Sequence, residues 1–154
     1  MTEPFISVTA DGTPGTSRLV AALNDLFLTN LSYWYTASAF HWNTVGYDFP
    51  QFHAFLNEVY EMAEAEIDAI AEWLRRFDAD APQAVPSIGL PGTTVKDFAR
   101  AVEILMEMSE SFIGQLKSAS LVANELNEQG ALNYFASLMD AHQKAVWKFR
   151  SILA

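Results

Sequence analysis

The stretch HWNTVGYDFPQFHAFLNEVYEMAEAEIDAIAEWLRR, residues 41–76, sets how the rest of the chain is read. Within it His53, Asn57, Glu61, Glu64, Asp68 and Glu72 recur at steps of four, four, three, four and four, which places them on one stripe of one helix. Leu56, Val59, Ala63, Ile67, Ile70 and Leu74 run beside them as a core stripe. A polar stripe is ordinarily the solvated face of a helix. Two features set this one apart. It begins with an imidazole, and it carries no Lys or Arg, so its carboxylates repel one another by a few tenths of a kcal/mol per pair. A bound cation relieves that repulsion, and imidazoles with carboxylates suit a borderline divalent metal such as iron.

Helix length constrains where such a metal can sit. His53 and Asp68 lie about 22 Å apart along a helix at about 1.5 Å per residue, so the two cannot share a small site within one chain. An antiparallel copy of the helix crossing near Met62 brings His53 of one chain to Asp68 and Glu72 of the other. Two-fold symmetry then makes two identical sites per dimer.

Outward from this run the chain reads as helices. Leu19, Leu23, Leu26, Phe27, Leu31, Trp34 and Ala37 recur at steps of three and four, which predicts a first helix over about 17–43. Residues 1–16, rich in Thr, Gly and Pro, read as an irregular arm. Thr44 to Tyr47 form a short connection. Asp48, Pro50 and Gln51 read as a capped start to the second helix, which runs to about Arg76 or Phe77. Asp78 to Gly92, with its prolines and weak periodicity, reads as a crossover loop. Thr94 and Asp97 suggest the next helix start. The third helix, carrying Phe98, Val102, Leu105, Phe112, Leu116 and Leu126, is expected to stop near Gly130. A fourth, over about 131–153, carries Tyr134, Phe135, Leu138, Ala145, Phe149 and Ile152. The result is an all-α, four-helix ferritin-like bundle over 17–154, with one long crossover between its second and third helices.

Composition narrows the function classes. The chain has 154 residues, enough for one domain. At 13% aromatic it is rich for its size, which suits contacts between subunits. The absence of cysteine excludes disulfides, thiolate metal sites and thiol catalysis. A formal charge of -10 argues against nucleic-acid binding, and residues 1–17 hold no basic side chain with which to tether DNA. An acidic surface attracts cations, although it serves solubility equally. No apolar run is long enough to span a membrane and no secretory signal is evident, so the cytoplasm is the expected location.

Single residues carry rival readings. His41, at the end of the first helix, is either a hydrogen-bonded capping residue or a ligand drawn toward His53 across the turn. Trp42 reads as core packing rather than a redox relay, and Asn43 as a cap. A metal site inside one bundle needs Glu-x-x-His on two helices. Ser38, Pro50 and Met139 stand three residues before His41, His53 and His142, so that motif is missing. His142 reads as a packing or hydrogen-bonding residue.

His41-Trp42-Asn43 with Gly46, His53 and Asp68-x-x-x-Glu72, together with Ala-His-Gln-Lys-Ala-Val-Trp ending at Trp147, resembles the signature of the Dps family of mini-ferritins along nearly the whole chain. The resemblance implies a homo-dodecameric shell built from two-fold dimers. It implies Fe(II) oxidation at sites between subunits, preferably with hydrogen peroxide as oxidant, and storage of ferric mineral. Carried over by position, His41 and His53 are ligands from one subunit, and Asp68 and Glu72 are ligands from its partner.

Two departures qualify it. Asn57 stands where the family usually has Asp, giving a neutral and weaker ligand. Glu61 and Glu64, facing their counterparts near the two-fold axis, are expected to add or shift a metal position. The crossover shows a poor helical pattern where the family usually places a short helix. Glu125 and Glu128 fit an ion-entry pore or a solvated helix end equally. Because protonated imidazoles do not ligate, iron uptake is expected to weaken below about pH 6. The rival reading is a metal-sequestering or structural cage of the same fold with a weakened site.

Overall fold

The structure is a computed structural model that describes residues 14–85, 88 and 94–154. Four helices follow one another: α1 (Pro14–Asn43), α2 (Phe49–Arg76), α3 (Phe98–Glu125) and α4 (Gln129–Leu153). There is no strand among the described residues. The expected count, order and crossover are met. The arm expected over 1–16 lies outside the described residues for 1–13, and α1 already begins at Pro14.

Two antiparallel hairpins, α1 with α2 and α3 with α4, make up the bundle. Arg18 at the start of α1 pairs with Glu125 at the end of α3 (2.8 Å), and Val45 N–H beyond the end of α1 donates to the Lys96 carbonyl before α3 (3.1 Å). α1 and α3 are therefore antiparallel, and α2 and α3 run the same way. Such a pair cannot be joined by a tight turn, because the chain must travel back about 42 Å along the bundle. That is what the segment between Arg76 and Phe98 does. No helix occurs among its described residues, in keeping with its expected irregularity.

Local chemistry explains the ends, with three corrections. Asp48 precedes α2, but its side chain makes no capping bond; its carbonyl instead accepts from Gln51 N–H and Phe52 N–H. Thr94 is not helical, and Asp97 caps α3 by accepting from Arg100 N–H at 2.8 Å. The α3–α4 turn falls at Asn127 (φ 57), not at Gly130. An asparagine side chain tolerates the left-handed region, and it leaves Gly130 for the first turn of α4, where an added Cβ would lie 3.1 Å from Trp73.

The apolar core has two halves. One gathers Leu19, Leu23, Leu26, Leu74, Phe112, Leu116 and Phe135, and the other Tyr33, Phe40, Leu56, Val102, Leu105 and Phe149. At their junction Glu66 occupies the core position expected for Ile67, which is only half-buried. His142, as expected, packs and hydrogen-bonds; it is fully buried against Phe112 and Tyr33. No described helix is long and apolar enough to cross a membrane.

Candidate metal centre

His41 and His53 are brought together by the α1–α2 turn. Gly46 makes this turn possible with φ 140, a backbone state that side-chain-bearing residues rarely adopt. The two imidazoles stack with ring centroids 3.6 Å apart and planes 21° from parallel. Each Nδ1 sits on the other residue's backbone carbonyl, His41 Nδ1 to His53 O at 2.8 Å and His53 Nδ1 to His41 O at 3.0 Å. A carbonyl oxygen can only accept, so both Nδ1 atoms carry the proton. In its neutral form each ring then holds its lone pair on Nε2. A hydrogen bond that fixes the tautomer and aims the other nitrogen is how proteins prepare histidine for a metal.

Aromatic side chains wall the pair. Tyr60 meets His41 edge-on (5.1 Å), and Phe49 lies against His53 (4.9 Å). His41 is buried and His53 half-buried. Asn57, one turn beyond His53, is half-buried, and its Oδ1 accepts from Tyr60 O–H. One of the two lone pairs of the only ligating oxygen is thereby taken.

Glu61, Glu64, Asp68 and Glu72 are exposed along the outer face of α2. No cluster of three or more acidic or histidine side chains suited to a metal forms within one chain among the described residues. One protomer thus unites His41, His53 and Asn57 and holds the carboxylates apart from them.

Three other expectations resolve. Trp42 is 62% exposed, not packed in the core, because the α1 face that points inward at this end belongs to Phe40 and His41. Asn43 caps as expected, donating from Nδ2 to the Ala39 carbonyl at 2.8 Å. Glu125 is spent on Arg18 at an exposed helix end.

Glu66 escaped the sequence reading. It lies 3.0 Å from His142 Nε2 in the bundle interior. The signal was available: 59, 63, 66, 70 and 74 is as regular a core spacing as one through 67, and His142 occupies the matching core register of α4.

Four antiparallel-paired helices with a long crossover between the second and third define the class of ferritin-like bundles. The chain belongs to the ferritin-like family, whose domain model matches residues 20–154. It is 27% identical over 120 residues to the DNA protection during starvation protein of Brevibacillus brevis, covering 74% of this chain and 80% of that one. Its fold matches a Dps protein of Vibrio cholerae, a member of a broad superfamily of ferritin-like diiron-carboxylate proteins, with TM-score 0.87 and 19% identity over 99% of this chain and 100% of that one. It also matches a Dps protein of Bacillus brevis with TM-score 0.86 and 21% identity over 92% and 99%. The fold is that of the Dps proteins.

Proposed function

We propose that this chain forms a cytoplasmic homo-oligomeric shell, a dodecamer of two-fold dimers, that oxidises Fe(II) with hydrogen peroxide and stores the ferric product. Iron is its substrate and cargo. His41 and His53 of one protomer supply neutral nitrogen donors, and Asp68 and Glu72 of its partner supply the anionic oxygens that favour Fe(III). Asn57 and Glu61 stand beside the site, with Glu64 near the two-fold axis. Protein groups hold the ion where peroxide reaches it, and the aromatic wall limits water. DNA is not among the proposed partners, since a charge of -10 opposes phosphate contacts.

The observation that carries this reading is the His41–His53 pair, whose reciprocal carbonyl bonds leave both Nε2 atoms as donors at the edge of an acidic, cation-free helix face. Anaerobic Fe(II) titration followed by peroxide, on wild type and His53→Ala, tests it. Wild type binds and oxidises iron at about one site per protomer, as two-fold sharing requires. Equal binding and rate in His53→Ala would refute it.

A second reading, a cage that sequesters metal with little catalysis, is favoured by one observation. Asn57 presents a neutral amide already engaged by Tyr60 where a carboxylate would complete an anionic set.

A further inference from the structure

α2 and α4 stand apart over part of their length, propped by contacts at either end. At one end the rings of Phe55 and Phe149 meet edge-on with centroids 5.9 Å apart, and beyond the other Glu66 reaches His142 at 3.0 Å. Between these props Val59 and Met62 of α2 and Ala141 and Ala145 of α4 line an apolar groove of about 270 Å³. The space exists because α4, which buries Phe135, Leu138 and Phe149 elsewhere, carries only alanines along this stretch. The groove lies away from the candidate metal centre. Phe55 and Val59, two residues either side of Asn57, are turned about 160° from it at about 100° per residue.

Charge is distributed unevenly around this groove. Lys144 and Lys148 stand one turn apart on its α4 wall, and Glu58 stands on its α2 wall. Lys148 Nζ comes only to 3.7 Å from Glu58 Oε2, with both side chains partly exposed, and such contacts are weak. Lys144 has no carboxylate partner among the described residues. After Asp140 the chain has three basic side chains, Lys144, Lys148 and Arg150, and no acidic one, although its formal charge is -10.

An apolar trough with two cations on one rim is complementary to an amphiphile with an anionic head. Lysines one turn apart, with Cβ atoms about 6 Å from each other, close on one small head. The trough runs about 12 Å from Ala141 to Phe149 at about 1.5 Å per residue. Its volume holds about nine methylene-sized groups at about 30 Å³ each, the share of a water molecule in the liquid. That is one chain of about ten carbons ending in a carboxylate, and it is too little for a two-chain membrane lipid. Met62, unbranched and polarizable, adjusts to such a chain.

We propose that the α2–α4 groove binds a free medium-chain fatty acid, its carboxylate between Lys144 and Lys148 and its tail along Val59, Met62, Ala141 and Ala145. The site uses none of the residues assigned to iron, so it stands or falls apart from the ferroxidase reading.

Equilibrium dialysis of the intact shell against hexanoate, octanoate, decanoate and dodecanoate, with bound and free acid quantified by mass spectrometry, tests this. Wild type takes up one acid per protomer. Kd falls by roughly three- to fourfold for each added methylene up to about ten carbons, then levels off as the groove fills. Replacing both lysines, Lys144→Gln with Lys148→Gln, weakens decanoate by about fivefold and leaves decanol unchanged. Ala141→Phe, at a half-buried position on the groove wall, fills the trough and abolishes binding. Light scattering checks that each variant assembles as wild type does.

Decanoate retained by an assembled Ala141→Phe shell would overturn the location. A Kd indifferent to chain length would overturn the groove as the seat of the tail. Decyltrimethylammonium binding as tightly as decanoate, or a lysine double variant as tight as wild type, would overturn the head-group assignment. A groove already filled by a second copy of the chain binds no decanoate, and that result overturns the proposal outright.

Discussion

Mixing two inactive chains regenerates working sites if histidines and carboxylates come from different protomers. One chain carries His41→Gln and His53→Gln, which removes the imidazoles but keeps a side-chain N–H for each carbonyl. The other carries Asp68→Ala and Glu72→Ala, at exposed positions whose truncation leaves the core untouched. In either homodimer each site keeps one half of its ligands and lacks the other. In the mixed dimer one site loses both halves, and the second is wholly wild type. Random pairing at equal expression makes half of the dimers mixed, each with one good site of two, so about one quarter of wild-type sites return. The 22 Å or so between His53 and Asp68 forbids this pairing within a chain. The assay is co-expression, purification of the mixed shells, and the fast phase of Fe(II) oxidation with peroxide against the two homomeric shells. Mixed shells no more active than the homomers would refute the shared site, whereas recovery in either mutant alone would place the ligands elsewhere.

Glu66→Met leaves His142 Nε2–H buried without its acceptor and costs about 1–3 kcal/mol, a fall in Tm of about 2–4 °C per kcal/mol by calorimetry at fixed protomer concentration. Adding His142→Leu replaces both partners and recovers part of the loss; a double mutant as unstable as the sum of the singles would deny the bond. Asn57→Asp supplies an anionic oxygen and tightens Fe(II) binding on the order of tenfold in anaerobic titration. A much larger gain in oxidation rate than in affinity would place the wild type with the sequestering cage. Stability above pH 10 reports Tyr134 and the more deeply buried Tyr33, both phenols that burial holds above the ordinary range. Each folded phenol stays protonated while the unfolded one ionises at about 10, so the unfolded chain binds fewer protons and stability falls as pH rises, by up to about 1.4 kcal/mol per pH unit for Tyr33. Tyr33→Phe removes its share of that alkaline slope in denaturant titrations and leaves the share of Tyr134, and an unchanged slope would contradict the burial argument.

Spacing at three and four residues determined the four helices, and a proline-bearing stretch without periodicity determined the crossover, because both are properties of local chain geometry. The stripe from His53 to Glu72 was legible for the same reason, as was the impossibility of closing a site within one helix. What periodicity could not decide is which of two adjacent residues turns inward. Positions 66 and 67 differ by 100° on a helix and both border the core, so spacing together with side-chain polarity points to Ile67 over Glu66. Only the approach of α4 showed otherwise, since His142 offers the partner that makes a buried carboxylate tolerable. The same holds for Asn127 displacing Gly130 as the turn residue, since the close approach of Trp73 to Gly130 within α4 is a contact between helices. The reciprocal bonds of His41 and His53 likewise required two helices, each offering the other a carbonyl that no single stretch of chain supplies.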